Sequence, residues 1–115
     1  MKVIIAGSRD IDADWRTVEQ AVYNTDWVIT EVVSGAARGI DTYGEQWAVI
    51  HKIPIKRFPA DWDNYGKRAG HMRNYDMAKY ADALIAVWDG KSKGTLNMIN
   101  NMVSADKPVY VYCPT

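Results

Sequence analysis

Short apolar, β-branched runs alternate with segments whose apolar positions recur at helical spacing, along the whole chain. Residues 3–6 read as a first strand. Asp12 or Asp14 stands where it can cap a helix with Trp15, Val18 and Val22 at helical spacing. Residues 28–33 read as a second strand, interrupted by polar Thr30 and Glu31. A second helix is expected over about residues 38–51, where Ile40, Tyr43, Gly44, Trp47 and Ala48 fall on one stripe. Gly44 within that stripe implies close packing against a strand. Residues 53–58 form a third strand, with Pro54 near its start, where proline is tolerated.

Residues 59–65 read as the longest irregular piece, aromatic and acidic. A third helix is expected over residues 66–80, with Ala69, Met72, Arg73, Asp76, Met77 and Tyr80 on one side. The apolar run 83–88 is a central buried strand. Residues 94–105 form a fourth helix, with Leu96, Ile99 and Val103 sharing a face, and residues 109–112 a last strand. Strands alternating with helices predict an α/β, three-layer Rossmann-like fold: a parallel five-stranded sheet in the order 3-2-1-4-5, helices on both faces and right-handed crossovers. Residues 1–115 are expected to form one domain.

In that order the first and fourth strands meet at the topological switch point, where ligands bind beyond the carboxyl ends of the strands. Three strand-to-helix junctions fall on this side, each with small residues and a basic one. They are Gly7-Ser8-Arg9, Ser34-Gly35-Ala36-Ala37-Arg38-Gly39-Ile40-Asp41, and Asp89-Gly90-Lys91-Ser92-Lys93-Gly94-Thr95. Small residues let backbone N–H groups approach a ligand, and a helix N-terminus favours an anion. Gly7, Gly35, Gly39 and Gly94 therefore read either as a phosphate cradle or as glycines that tight turns need for themselves. No intact G-x-G-x-x-G or P-loop sequence is present.

Charge sharpens the picture. The chain carries 14 basic and 14 acidic side chains, a formal net charge of zero, which argues against bulk electrostatic attraction to nucleic acid or membrane. Yet Arg9, Arg38, Lys67, Arg68, Arg73, Lys91 and Lys93 all fall in or near the loops of the expected ligand face. An arginine fork suits phosphate oxygens. Arg73, among apolar neighbours, is either directed at a ligand or paired with Asp76 one turn on. Asp41, Asp76 and Asp89 are the acid–base candidates. Asp41 also reads as a favourable charge near a helix N-terminus, and Asp89 as a turn residue. His51 and His71 are too isolated to indicate a metal site, and no G-x-S-x-G elbow supports a serine hydrolase. The single cysteine, Cys113, excludes an intrachain disulfide and fits a cytoplasmic protein. No run is long enough to span a membrane. Of the five tryptophans, Trp15, Trp27 and Trp62 are candidates for a homo-oligomer surface.

Gly7-Ser8-Arg9, the turn from Ser34 to Asp41, Arg73-Asn74 with Met77, and Gly94-Thr95 together resemble the SLOG superfamily of Smf/DprA-like and LOG-like Rossmannoid proteins. The resemblance covers nearly the whole chain and is strongest to the small YspA-type, cpYpsA-related branch. The turn from Ser34 to Asp41 also resembles the S-G-x-A-x-G-I-D turn of DprA-like members. The resemblance implies a site for a nucleotide-derived ligand: a nucleoside monophosphate, an NAD metabolite or an ADP-ribose-like molecule. Gly7, Ser8, Arg9, Ser34, Gly35, Arg38, Gly39, Ser92, Gly94 and Thr95 are its expected binding residues, with Arg73 on a phosphate or ribose group and Tyr65 or Trp88 stacked on a base. LOG-like members cleave the N-glycosidic bond of nucleoside 5′-monophosphates. The glycine-threonine part of their P-G-G-x-G-T-x-x-E motif appears here within residues 91–98, as Gly94-Thr95, which puts Met98 at the glutamate position. Were this chain an enzyme of that type, Arg73, Asp89 and Asp41 would carry the chemistry. Single-stranded DNA binding of the DprA kind is a further alternative, opposed by zero net charge and the lack of an extended aromatic and basic surface. No cofactor or membrane partner is implied.

Overall fold

In the computed structural model, which describes residues 1–114, the elements follow in the order β1 (Lys2–Gly7), α1 (Trp15–Thr25), β2 (Glu31–Ser34), α2 (Ile40–Ile50), β3 (Ile55–Arg57), α3 (Trp62–Tyr65), α4 (Ala69–Tyr80), β4 (Ala83–Val87), α5 (Lys93–Ser104) and β5 (Val109–Tyr112). A single 3-10 turn, Gly66–Arg68, joins α3 to α4. The five strands make one parallel sheet in the order β3-β2-β1-β4-β5. The expected strand order is the observed one.

Alternation of side chains along β1 decides how the sheet is covered. Val3 and Ile5 face one side, where they meet Val18 and Ala21 of α1 and Ile40, Trp47 and Ala48 of α2. Ile4 and Ala6 face the other, against Met77 and Ala78 of α4 and Met98 and Met102 of α5. Both faces are covered by apolar side chains, so β1 and β4 read as continuous apolar runs, as central parallel strands do. Gly44 lets α2 touch the sheet: a Cβ there would lie 2.7 Å from Ile5 Cγ2. No helix among the described residues is long and apolar enough to cross a membrane.

Asp14, not Asp12, caps α1, accepting from the Arg16 amide at 2.8 Å while its own amide donates to Thr17 Oγ1. Four expectations are corrected. β2 begins at Glu31 rather than residue 28, because pairing with β1 starts at Lys2 opposite Glu31 and leaves Val28 exposed. The piece read as irregular holds α3, capped by Asp61. On α4 the buried positions are Ala69, Asn74, Met77 and Ala78, whereas Met72 and Asp76 face outward. On α5 the inner face is Thr95, Met98 and Met102, while Leu96 and Val103 are exposed. The two α5 stripes are equally well spaced. The one nearer β4 fills with flexible methionines, which adapt to an irregular gap.

Candidate functional site

Gly7 and Val87 pair at the carboxyl ends of β1 and β4. A Cβ on Gly7 would lie 2.0 Å from the Val87 carbonyl oxygen, so only glycine allows the chain to turn here. The turn then places Ser8 almost fully buried, its amide donating to Val87 O at 3.0 Å and its hydroxyl oxygen accepting from the Asp89 amide at 3.1 Å. Beyond these two strand ends lies an open cleft of about 500 Å³. That is the size of a small-molecule site, formed at the switch point of the sheet.

One wall is the N-terminal turn of α5. Ser92 caps it, accepting from the Thr95 amide at 3.4 Å, and the Thr95 hydroxyl donates to Ser92 Oγ at 3.1 Å. The loop before it is held by Asp89, whose Oδ1 accepts from the amides of Lys91 and Ser92 at 2.8 and 2.9 Å. Those amides hold the exposed Asp89 carboxyl below its ordinary range. Asp89 is thus ionised and engaged with its own turn. The helix N-terminus carries partial positive charge, and Arg9, Lys67, Arg73 and Lys91 line the same cleft.

The opposite wall is α4. Arg73 projects across to the turn after β2, where Nη1 donates to the Gly35 carbonyl at 2.5 Å while Nε donates to Asn74 Oδ1 at 3.0 Å. Asn74 in turn donates from Nδ2 to Gly94 O at 3.2 Å and to Asn97 Oδ1 at 3.0 Å, so one network ties α4 to both α5 and the β2 turn. Asp76, the alternative partner of Arg73, sits 4.0 Å from Lys79 instead.

Asp41 is the buried acid of the cleft, 6% exposed. Its Oδ2 accepts from the Ala37 amide at 3.2 Å. Burial raises its carboxyl to about 6, and the Ala37 amide, Arg73 and Arg9 oppose that rise without cancelling it. A carboxyl that exchanges its proton near neutral pH, set beside an arginine in a cleft, is equipped to accept from a ligand hydroxyl or to act as an acid or base.

Of the residues expected from the sequence, Gly7, Ser8, Arg9, Arg73, Ser92, Gly94, Thr95, Asp41 and Asp89 line this cleft. Ser34, Gly35, Arg38 and Gly39 do not line it. The Ser34 hydroxyl donates to Glu45 Oε2 at 2.6 Å and accepts from the Ala36 amide, and Glu45 is gripped in turn by Arg57 at 2.8 and 3.0 Å. Gly35 contributes its carbonyl to Arg73. Arg38 pairs with Asp10 at 2.8 Å, both largely exposed. Gly39 has φ +79°, and a Cβ there would lie 2.8 Å from Arg9 Cα, so it lets α2 begin directly beneath the Ser8–Arg9 backbone. The aromatic side chain on the cleft is Trp62, rather than Tyr65 or Trp88. The Trp88 indole donates to Ser92 O at 3.1 Å and braces the loop. Asn74, named in the sequence only beside Arg73, and Trp62, named only as an oligomer-surface candidate, also line the cleft. A polar side chain amid an apolar helix stripe, and a tryptophan in the loop following a parallel strand's carboxyl end, were the available signals.

The family model of the YspA, cpYpsA-related SLOG family matches residues 1–65, which include the first two of the three junctions and Trp62. The Gene 61 protein of Mycobacterium phage D29 is 31% identical over 117 residues, covering 94% of this chain and 93% of that protein. In fold the chain resembles DNA processing protein A (DprA) from Streptococcus pneumoniae, with a TM-score of 0.80 and 19% identity. That match covers 99% of this chain and 50% of DprA, so this chain spans about half of that protein's length. Arg73, Asn74 and the α5 turn lie beyond the matched segment of the family model and reach the site through the fold. The chain belongs to the YspA, cpYpsA-related SLOG family.

Proposed function

We propose that this protein binds a phosphorylated, nucleotide-derived ligand in the cleft between β1 and β4. Membership of a SLOG family supports a nucleotide- or nucleic-acid-related function in general terms. The observation that carries the finer reading is the N-terminal turn of α5. Gly94 has an ordinary negative φ and nothing within 4 Å of where a Cβ would stand, so neither backbone conformation nor packing calls for glycine there. A helix normally gains from alanine at such a position. A bare backbone at a helix N-terminus, with the hydroxyls of Ser8, Ser92 and Thr95 and the cations Arg9, Arg73 and Lys91 around it, suits close approach of phosphate oxygens. Asp41 then stands where it can accept from a ligand hydroxyl, and Arg73 bridges the two regions.

The test is calorimetric titration with AMP, GMP, CMP, NAD, ADP-ribose and ribose 5-phosphate. Saturable binding of a phosphorylated member, lost in Arg73→Ala, supports the reading. Absence of heat with every member overturns it.

Asp41 favours a second reading, cleavage of a nucleoside 5′-monophosphate at its N-glycosidic bond. Met98, at the position of the LOG-type glutamate, is buried and offers no proton chemistry, whereas Asp41 supplies a carboxyl near neutral pKa on the cleft wall. Its ionised form would stabilise an oxocarbenium-like transition state. Release of free base by the wild type and its loss in Asp41→Asn is the discriminating assay.

A further inference from the structure

Trp62 opens α3 and is 50% exposed, yet it is concave surface that it borders: its side chain lines the cleft. The indole rests against the first turn of α4 at Gly70, where a Cβ would stand 3.1 Å from Trp62 Cη2 and 3.9 Å from Arg73 Nη2. The Cη2–Cζ2 edge of the ring therefore meets bare backbone close to the guanidinium that reaches into the site. Among the described residues no cation lies over it and no aromatic ring stacks on it, although Trp15, Phe58, Tyr75 and Tyr80 all have such a neighbour. Exposure alone does not single Trp62 out, since Tyr23 and Tyr75 are more exposed; its place on the cleft does, because an amphipathic indole there can meet a ligand ring.

We propose that Trp62 is the stacking platform of the cleft, and that its ligand accordingly carries a planar heteroaromatic ring as well as phosphate. The proposal rests on the phosphate-binding reading given above and narrows its ligand class, excluding bare sugar phosphates as the preferred occupant. The cleft volume of about 500 Å³ exceeds what a phosphate group needs and accommodates a ring as well. Phosphate at the α5 turn and base at Trp62 would place the sugar between them, against Arg73 and Asp41. Trp88 and Tyr65 do not serve instead, since neither lines the cleft. Among the tryptophans expected at an oligomer surface, Trp62 is thus assigned to the ligand, whereas Trp27 packs against the core.

The experiment is calorimetric titration of wild type, Trp62→Ala and Trp62→Phe with AMP, GMP, CMP, ADP-ribose and ribose 5-phosphate. Base–aromatic stacking predicts that Trp62→Ala weakens the tightest-binding nucleotide about ten- to a hundredfold. Trp62→Phe retains most of that affinity, and ribose 5-phosphate binds all three proteins alike. Melting temperatures check that the exposed position is neutral for folding. If Trp62→Ala binds the nucleotide as tightly as wild type does, or loses ribose 5-phosphate in equal proportion, the platform is overturned while the phosphate site stands. If the wild type binds none of these molecules, both readings fall together.

Discussion

Arg73 reaches from α4 to the Gly35 carbonyl, 38 residues away in sequence, and binds it at 2.5 Å. A charged donor on a half-buried carbonyl is worth about 1.5–3 kcal/mol. The same guanidinium holds Asn74 through Nε, which leaves Nη2 for a ligand. Arg73→Gln is therefore expected to lower the melting temperature by several degrees and to weaken a phosphorylated ligand at least about tenfold. Arg73→Lys should restore neither, because one ammonium cannot span Gly35 and Asn74 in the geometry of the fork. Thermal melts paired with calorimetric titration check both effects. Wild-type affinity in either variant removes Arg73 from the site.

Asp41 gives a pH dependence whose sign is fixed by its environment. Its carboxyl rises from 3.8 when unfolded to about 6 when folded, so the folded state binds the proton more tightly. Between those values stability falls as pH rises, and above about 6 the full penalty, roughly 3 kcal/mol, persists. Asp41→Asn keeps an acceptor for the Ala37 amide without the buried charge. The variant should melt above wild type at pH 8, with the gap closing toward pH 4. A gap that is constant across this range would show that Asp41 titrates like an exposed carboxyl.

Glu45 behaves oppositely. Burial raises its carboxyl, but the hydrogen bonds from Arg57 and Ser34 outweigh that and hold it below its ordinary value. Its contribution is therefore present above the unfolded carboxylate range and fades on acidification. Ser34→Ala leaves the Ala36 amide and one Glu45 oxygen short of a partner, at a cost of about 1–2 kcal/mol. Because this chain braces the turn that carries Gly35 and Asp41, we expect faster hydrogen exchange at the Ala36 and Ala37 amides in Ser34→Ala. Unchanged exchange there would mean that the Arg73 and Asp41 contacts hold the turn without Ser34.

The sheet order was legible because two kinds of pattern agreed: apolar runs at 3–6 and 83–88 marked the central strands, and turn residues marked the ligand side. Placement on the cleft was legible for residues at the strand-to-helix junctions, such as Ser8 and Gly94, since junction position follows from topology. It was less so for Ser34 and Gly35, at the end of β2 and just after it: the Ser34 hydroxyl turns to Glu45 of α2 and the Gly35 carbonyl is taken by Arg73 of α4. Their direction depends on Glu45 and Arg73, partners 11 and 38 residues away. The α5 face failed for a related reason. Leu96–Ile99–Val103 and Thr95–Met98–Met102 satisfy the same periodicity, and only the position of β4 selects between them.

The glycines separate structure from function within one experiment. At Gly7 an added methyl meets the Val87 carbonyl at 2.0 Å, and backbone cannot step aside as a side-chain tip can. Gly7→Ala should therefore disrupt the β1–β4 junction and fail to give a cooperatively folded protein. At Gly94 the methyl meets nothing, and alanine within a helix is favoured over glycine by about 0.5–1 kcal/mol. Gly94→Ala should raise the melting temperature by a few degrees. If phosphate approaches this turn as closely as the bare backbone allows, the same methyl obstructs it and affinity falls while stability rises. That opposite movement has no structural explanation, because a residue needed only for folding cannot be replaced with a gain in stability. A Gly94→Ala protein that is more stable and binds as tightly as wild type would instead place the phosphate elsewhere in the cleft.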